Sequence, residues 1–434
     1  MGTRRREGLW PPSRRRPGSV RTARRPPAWL ALLGPGALAM LGENDAPSML
    51  SYAATGAKYG IGMFVPLVAA TFLLAYVVQE MTVRAGIATG RGLAQLIGDR
   101  LGARWSVTVA VAVVVGNFLT LVTEFIGIRT GLDYFGVPPL VAVGTVVALT
   151  AGAVASGRYW TWEKLTLSLA ALNLVFVPFA LAAAPRWGRV AQSLATWHPL
   201  PGGPVSSVML LIVSDLGATV TPWMLFFQQS AVADKGLRLH DMRQGRLDTA
   251  VGAVVAAVCG IAVVAGTSVL AGHRRVLTLL NGARFADALV PHAGRLASTL
   301  FAIGITEAGM VAVMVISTTT GYVLTEVTPA RSTVDMASGR LGQFHWIVIG
   351  SAAAAGAIVL VPGLPLLGVV LAVNVVAVVS MPPVLVLLNR FTADSSVMGA
   401  LHSTPRQRTA GAAVTAAVVA ASLALGASFF APLF

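Results

Sequence analysis

Apolar stretches of about 20 residues, the length that crosses a bilayer as a helix, recur along this chain and limit its fold more than any other feature. Eleven can be read, near residues 30–54, 60–80, 105–132, 139–156, 164–184, 206–232, 248–270, 297–324, 344–362, 365–388 and 409–431. Hydrocarbon offers no partner for backbone amides and carbonyls, so a spanning segment must satisfy them itself, and the pattern predicts an all-α integral membrane protein. Only 11% of the 434 residues are charged, against roughly 25% in soluble domains.

The charges that remain give an orientation. With the N-terminus in the cytoplasm and sides alternating from there, 24 of the 32 Lys and Arg fall on the cytoplasmic side, as the positive-inside rule requires. The eight on the opposite side are Lys58, Arg129, Arg186, Arg189, Arg274, Arg275, Arg284 and Arg295. The bias survives deletion of the N-terminal arginines, at 15 against 8. This predicts a multi-pass protein of the cell membrane with a cytoplasmic N-terminus and an extracytoplasmic C-terminus. Residues 1–29, where arginines alternate with Pro and Gly, are expected to form a disordered basic tail that meets lipid headgroups. A nucleic-acid arm is the competing reading of that tail, and the net charge of +15 alone does not support it, because the basic residues lie between apolar segments. A cleaved signal peptide does not fit, since the apolar stretch runs past any cleavage site into the most informative motif of the chain. The single Cys259 sits in an apolar run and excludes a disulfide framework.

Helix breakers mark two segments in particular. In the first, Gly34-Pro35-Gly36 precedes Asp45-Ala46-Pro47-Ser48 at mid-span; in the sixth, Ala218-Thr219-Val220-Thr221-Pro222-Trp223 is at mid-span. These are corresponding members of two sets of five, 30–184 and 206–388, with 409–431 as an added eleventh helix. Broken helices in matching positions of two inverted repeats point to the binding site of a secondary transporter.

The breaks have a chemistry. An aspartate near the bilayer centre costs at least about 2.5 to 3.5 kcal/mol and needs a cavity and a partner, which makes Asp45 the candidate charge of a cation site. Pro47 is expected to free a carbonyl of the preceding turn, and the carbonyl of Ala46 with the hydroxyl of Ser48 would add oxygens. The alternative is that Asp45 caps a short helix at the membrane surface beside Glu43 and Asn44. The sixth-segment break offers the hydroxyl of Thr221 and the carbonyls of Ala218 and Thr219, without Met, Cys or His, so it suits a hard ion. A Thr-Pro kink serving only packing is the competing reading. Asn374, in the apolar run of the tenth segment, can lend a carbonyl or make an interhelical hydrogen bond. Among the other intramembrane acids, Glu124 and Glu307 are the candidates for an ion or proton pathway, whereas Glu80 and Asp215 are placed nearer helix ends, where acids meet headgroups and water.

These residues carry a resemblance to the Nramp superfamily of divalent-metal transporters, over nearly the whole chain after the tail. Gly34-Pro35-Gly36, Asp45-Ala46-Pro47-Ser48 and Ala54-Thr55-Gly56-Ala57-Lys58-Tyr59-Gly60 match in spacing the family's Gly-Pro-Gly, Asp-Pro-Gly-Asn and Gly-Ala-x-x-Gly pattern. Ala88-Thr89-Gly90-Arg91-Gly92-Leu93-Ala94, Glu124-Phe125-Ile126-Gly127 and Phe135-Gly136-Val137-Pro138 are similar to the family too. The resemblance implies a fold like that of LeuT, 11 helices with an inverted five-plus-five repeat and broken helices 1 and 6. The implied ion ligands are Asp45, Ala46, Ser48, Ala218, Thr221 and Asn374.

The chain also departs from the family. The family's first-helix Asn falls on Ser48, its sixth-helix Met and His on Thr221 and Trp223, its tenth-helix Gln on Asn374, and the first acid of its third-helix Asp-x-x-Glu on Leu121. Losing the thioether removes the ligand that favours manganese, iron or cadmium over magnesium and calcium. The combination resembles the Nramp-related magnesium transporters, which implies import of a hard divalent cation, magnesium first and manganese second, without tight proton coupling. A proton-coupled manganese or transition-metal transporter of the main Nramp type is the alternative, followed by an ion-coupled carrier of an amino acid or other organic solute. No enzyme motif appears: neither His-Glu-x-x-His, nor a nucleophile elbow, nor a phosphate loop. The expected partners are the metal ion, as substrate and not as cofactor, and the lipid bilayer, with no nucleic acid and no obligate protein partner.

Overall fold

The computed structural model describes residues 34–197, 201–272, 285–328, 333–335, 341–363 and 365–430. The basic tail expected over 1–29, and Arg274, Arg275, Arg284, Arg331 and Arg340 of the charge pattern, lie outside the described residues. Among the described residues every regular element is a helix.

The first segment divides into α1 (Pro35–Gly42) and α2 (Ala46–Tyr59), and α3 (Phe64–Thr89) returns as the second. After α4 (Leu93–Leu101), α5 (Ala103–Asp133) and α6 (Pro139–Ala155) form the third and fourth segments. The fifth consists of α7 (Tyr159–Ala170) and α8 (Phe176–Ala183), joined by a 3-10 turn over Ala171–Val175. Beyond α9 (Trp187–Thr196), the sixth segment is split into α10 (Val205–Gly217) and α11 (Pro222–Lys235). Then come α12 (Met242–Thr267), α13 (Phe285–Glu326), α14 (Gln343–Val359), α15 (Leu366–Ala393), the short α16 (Ser395–Met398) and α17 (Pro405–Phe430). Among the described residues eight spans are long and apolar enough to cross a membrane. Of the eleven segments read in the sequence, α6 and α14 are apolar helices of only 17 residues each, and the first is shared by two short helices.

Some boundaries move. The eighth segment, expected over 297–324, begins at Phe285 and bends at Gly294, whose φ of 82° no continuous helix contains. The connections holding α4 and α9 contain helices the apolar pattern does not mark, because each buries only a narrow face. Glu80, placed at the end of the second segment, lies within α3, which continues to Thr89. There it pairs with Arg84 at 2.8 Å and Arg246 at 2.8 Å, tying α3 to α12.

Apolar side chains on the outer faces, among them Leu73, Val111, Val115, Leu140, Leu181, Val254 and Leu423, are exposed. A soluble protein does not display such a belt, and this is a multi-pass membrane protein. Inside it, α5 and α13 pack along each other, α12 lies against α1, α2 and α3, and α15 lies against α10 with α17 outside both. Two close approaches need glycine. A Cβ at Gly127 of α5 would lie 2.1 Å from the Cβ of Ala46, and one at Gly217 of α10 would lie 2.0 Å from the carbonyl oxygen of Asn374. Small residues let membrane helices come together in this way, and here they bring α5 and α15 onto the two breaks.

The entry to α1 is fixed from a distance. The Asp248 carboxylate of α12 accepts the amides of Gly34 at 2.7 Å, Gly36 at 2.8 Å and Ala37 at 3.1 Å. A negative group on otherwise unpaired amides at a helix N-terminus is the favourable pairing of charge and dipole. Beside it, Lys235 of α11 is paired with Glu163 of α7 at 2.9 Å.

Candidate metal site

Both breaks are made by a proline starting a new helix, not by one interrupting an old helix. Pro47 stands in the first turn of α2, with Asp45 as N-cap in extended backbone at φ −71° and ψ 169°. Pro222 is the first residue of α11, after Thr221 at φ −112° and ψ 149°. At these positions the missing amide hydrogen has no helical partner to lose, so the expected effect of Pro47 on the preceding turn is corrected. The carbonyls left open are those at the end of the preceding half-helix. That of Ala218 accepts the Ser48 hydroxyl at 2.8 Å instead of a helical amide.

Asp45 is both of the things its sequence context allowed, a helix cap and a buried charge. Its Oδ1 accepts the Ser48 amide at 2.8 Å, yet the residue is only 2% exposed, so the surface location is excluded. Ser48 Oγ lies within hydrogen-bond reach of Asp45 Oδ1 as well as of the Ala218 carbonyl. Three oxygens from two broken helices thus converge on one hydroxyl hydrogen, which can serve only one acceptor at a time. Oxygens crowded beyond their supply of protons are what a hard cation coordinates.

The remaining expected ligands surround this point unequally. The Ala46 amide donates to Glu124 Oε2 of α5 at 3.0 Å, which places Glu124 against the break. Thr221 donates its hydroxyl to Glu43 Oε1 at 2.6 Å. The Asn374 amide nitrogen donates to Ser214 Oγ of α10 at 3.3 Å, and Ser214 in turn bonds Ser51 beside Asp215, so Asn374 makes the interhelical hydrogen bond that was the other expectation for it. Glu307 is not brought there: it accepts Asn173 Nδ2 at 3.5 Å, between α13 and the fifth segment. Asp215 corrects the view that it sits among water and headgroups. It is 0% exposed, and Ser51 at 2.6 Å and Thr55 at 3.0 Å, both of α2, donate to its carboxylate. Trp223, in place of the family's His, lies against Gly42, whose added Cβ would be 3.1 Å from its ring.

Sequence reasoning passed over Glu43, Asp248 and the hydroxyl partners of Asp215. The signal for Glu43 was its position within a run of three polar residues at mid-span; nothing local marks Asp248. Glu43 and Glu124 are 0% exposed, and each has one carboxylate oxygen without a hydrogen-bond partner among the described residues. Leaving such a group unpaired costs about 1 to 3 kcal/mol, and more when it is charged. Among the described residues no group of three His, Cys, Asp or Glu is placed to hold a metal ion. A cation bound here would therefore depend on neutral oxygens beside few carboxylates.

A family model for natural resistance-associated macrophage protein-like (Nramp) proteins matches residues 36–428. The divalent metal cation transporter MntH of Aeromonas hydrophila is 26% identical over 405 residues, spanning 90% of this chain and 94% of its own length. MntH of Erwinia tasmaniensis is 29% identical over 295 residues, 64% of this chain and 68% of that one. The crystal structure of the Eremococcus coleocola manganese transporter, bound to an aromatic bis-isothiourea compound, aligns with a TM-score of 0.71 at 22% identity, covering 93% of this chain and 88% of that chain. MhsT in complex with L-phenylalanine aligns at a TM-score of 0.57 and 15% identity, covering 91% and 97%. Both alignments show the fold, which is the LeuT-like architecture that the resemblance implied. The matched region takes in both breaks, α5 and α15, and this chain belongs to the Nramp family.

Proposed function

We propose that this protein imports a divalent metal cation by alternating access, with the ion held at the two breaks by Asp45, Ser48 and the Ala218 carbonyl, and with Ala46, Thr221 and Asn374 lending further oxygens. The observation that carries the reading is the convergence of Asp45 Oδ1, Ser48 Oγ and the Ala218 carbonyl on a single hydroxyl hydrogen. The names of the relatives, divalent metal cation transporter and manganese transporter, support the same substrate class.

Those names also move manganese ahead of magnesium, reversing the order taken from the sequence. Manganese accepts oxygen ligands, so the loss of the thioether at Thr221 does not exclude it. Magnesium is the second reading, favoured by the absence of any soft donor at Thr221. Proton-coupled uptake of the main Nramp type follows with manganese, and Glu124, buried against the Ala46 amide, is its proposed proton carrier. In the cell membrane, with the N-terminus inside, α1 would be the inner gate. It is short, and the Asp248 cap on its first amides would open to release the ion.

The test is uptake of Mn2+, Mg2+ and Cd2+ into proteoliposomes with and without a pH gradient, with a pH-sensitive dye inside. Saturable Mn2+ uptake with internal acidification is expected. Uptake of Mg2+ ahead of Mn2+ without acidification would restore the magnesium reading, and absence of uptake of any divalent ion would refute the function.

A further inference from the structure

Glu43 has no part in the ion site described so far. It is the C-cap of α1, at the start of the link to α2, and is fully buried. One carboxylate oxygen accepts the hydroxyl of Thr221 across the two breaks at 2.6 Å, and the other has no hydrogen-bond partner among the described residues. The ion pairs among the described residues involve other acids, so none of the described Lys, Arg or His residues neutralises Glu43. Thr221 has one hydroxyl hydrogen, and it is directed to Glu43. Its lone pairs are therefore turned away from Glu43 and left for another electropositive partner.

We propose that Glu43 is a direct ligand of the transported ion, the second carboxylate of the site, and that the Glu43–Thr221 pair selects hard divalent cations over soft ones. This rests on the divalent-cation reading above. Charge supports it: a doubly charged ion beside Asp45 alone would leave a net positive charge in a low-dielectric interior, whereas Asp45 and Glu43 together neutralise it. Donor chemistry supports it too. A carboxylate and the hydroxyl it orients are both hard oxygens, standing on the side of the site where the resembled family has a soft thioether. Glu124 differs in that it comes from α5 and its Oε2 takes the Ala46 amide. Glu43 is bonded instead to a residue of the opposite break.

The test compares wild type, Glu43→Gln and Glu43→Asp in proteoliposomes, measuring KM for Mn2+, Mg2+ and Cd2+, with Mn2+-dependent thermal shifts of the detergent-solubilised proteins. Glutamine keeps the size and can still accept the Thr221 hydroxyl. The expected result for Glu43→Gln is a rise of tenfold or more in KM for Mn2+ and Mg2+, a smaller rise for Cd2+, and a reduced Mn2+-dependent shift, with partial recovery in Glu43→Asp. A wild-type KM and selectivity in Glu43→Gln would overturn the proposal. So would an equal loss for all three ions with a lower metal-free Tm and no recovery in Glu43→Asp, which is the pattern of a purely structural residue. If the wild type takes up no divalent ion, the underlying function fails with it, a result seen before any variant is made.

Discussion

Replacing Gly127 with alanine adds one methyl group where α5 crosses the start of α2. The new Cβ would lie 2.1 Å from the Cβ of Ala46, and ordinary contact begins at 3.4 Å, so the helices must separate by about 1.3 Å. Glu124 is one turn away on the same helix, and its 3.0 Å bond from the Ala46 amide would be stretched out of range. Overpacking costs about 1 to 3 kcal/mol, and a hydrogen bond to a charged group contributes about 1.5 to 3 kcal/mol. The two are coupled, because the same displacement causes both, so they do not add; a loss of about 3 kcal/mol is expected. Since the displaced residue is the neighbour of Asp45, KM for Mn2+ should rise at least tenfold, about 1.4 kcal/mol. Thermal unfolding in detergent should show a Tm lower by several degrees, with uptake read in proteoliposomes. Gly116→Ala, on the same helix with nothing within 4 Å of the added Cβ, is the control and should match wild type. A Gly127→Ala protein with unchanged Tm and KM would refute the idea that α5 holds the break in place through this contact.

Three further outcomes are expected. Thr221→Met restores a soft donor and removes the hydroxyl on Glu43, so Cd2+ should gain on Mg2+ in competition by about tenfold, or 1.4 kcal/mol; an unchanged ratio would exclude Thr221 from the ion's contacts. Asp248→Ala removes the acceptor of three α1 amides. At about 1 to 2 kcal/mol for a lost cap, hydrogen exchange over residues 35–42 should speed up about 5- to 30-fold, and exchange at the wild-type rate would dissociate Asp248 from gating. Asp215→Asn should lower Tm, because one of the two oxygens that accept the Ser51 and Thr55 hydroxyls becomes an amide donor, while leaving KM for Mn2+ unchanged; a raised KM would put Asp215 on the ion path.

What the sequence made legible is local. Pro47 and Pro222 mark a break whatever surrounds them, though not that each starts a new helix, and an acid in an apolar run marks itself by its desolvation cost, so both breaks and Asp45 could be read directly. The apolar pattern gave the spanning segments, but not α4 or α9, whose buried faces are too narrow to register. The partners of the acids were not legible, because they come from other segments. Asp248 meets Gly34 across 214 positions, Glu43 meets Thr221 across 178, and Asp215 meets Ser51 across 164. Nothing near Asp248 in the chain indicates that it caps α1. Asp215 looked like a residue at a wet helix end until α2 supplied two hydroxyls to bury it. Glu307 shows the reverse: the same intramembrane signal as Glu124, but a partner, Asn173, away from the breaks.

The central claim is that Asp45 organises the ion site at the meeting of the two breaks, and Mn2+ binding to wild type and Asp45→Ala by calorimetry in detergent tests it most directly. Saturable binding to the wild type that disappears in Asp45→Ala, with the variant retaining its helical content and a cooperative thermal transition, is the expected result. Binding of Mn2+ to Asp45→Ala with wild-type affinity would contradict it.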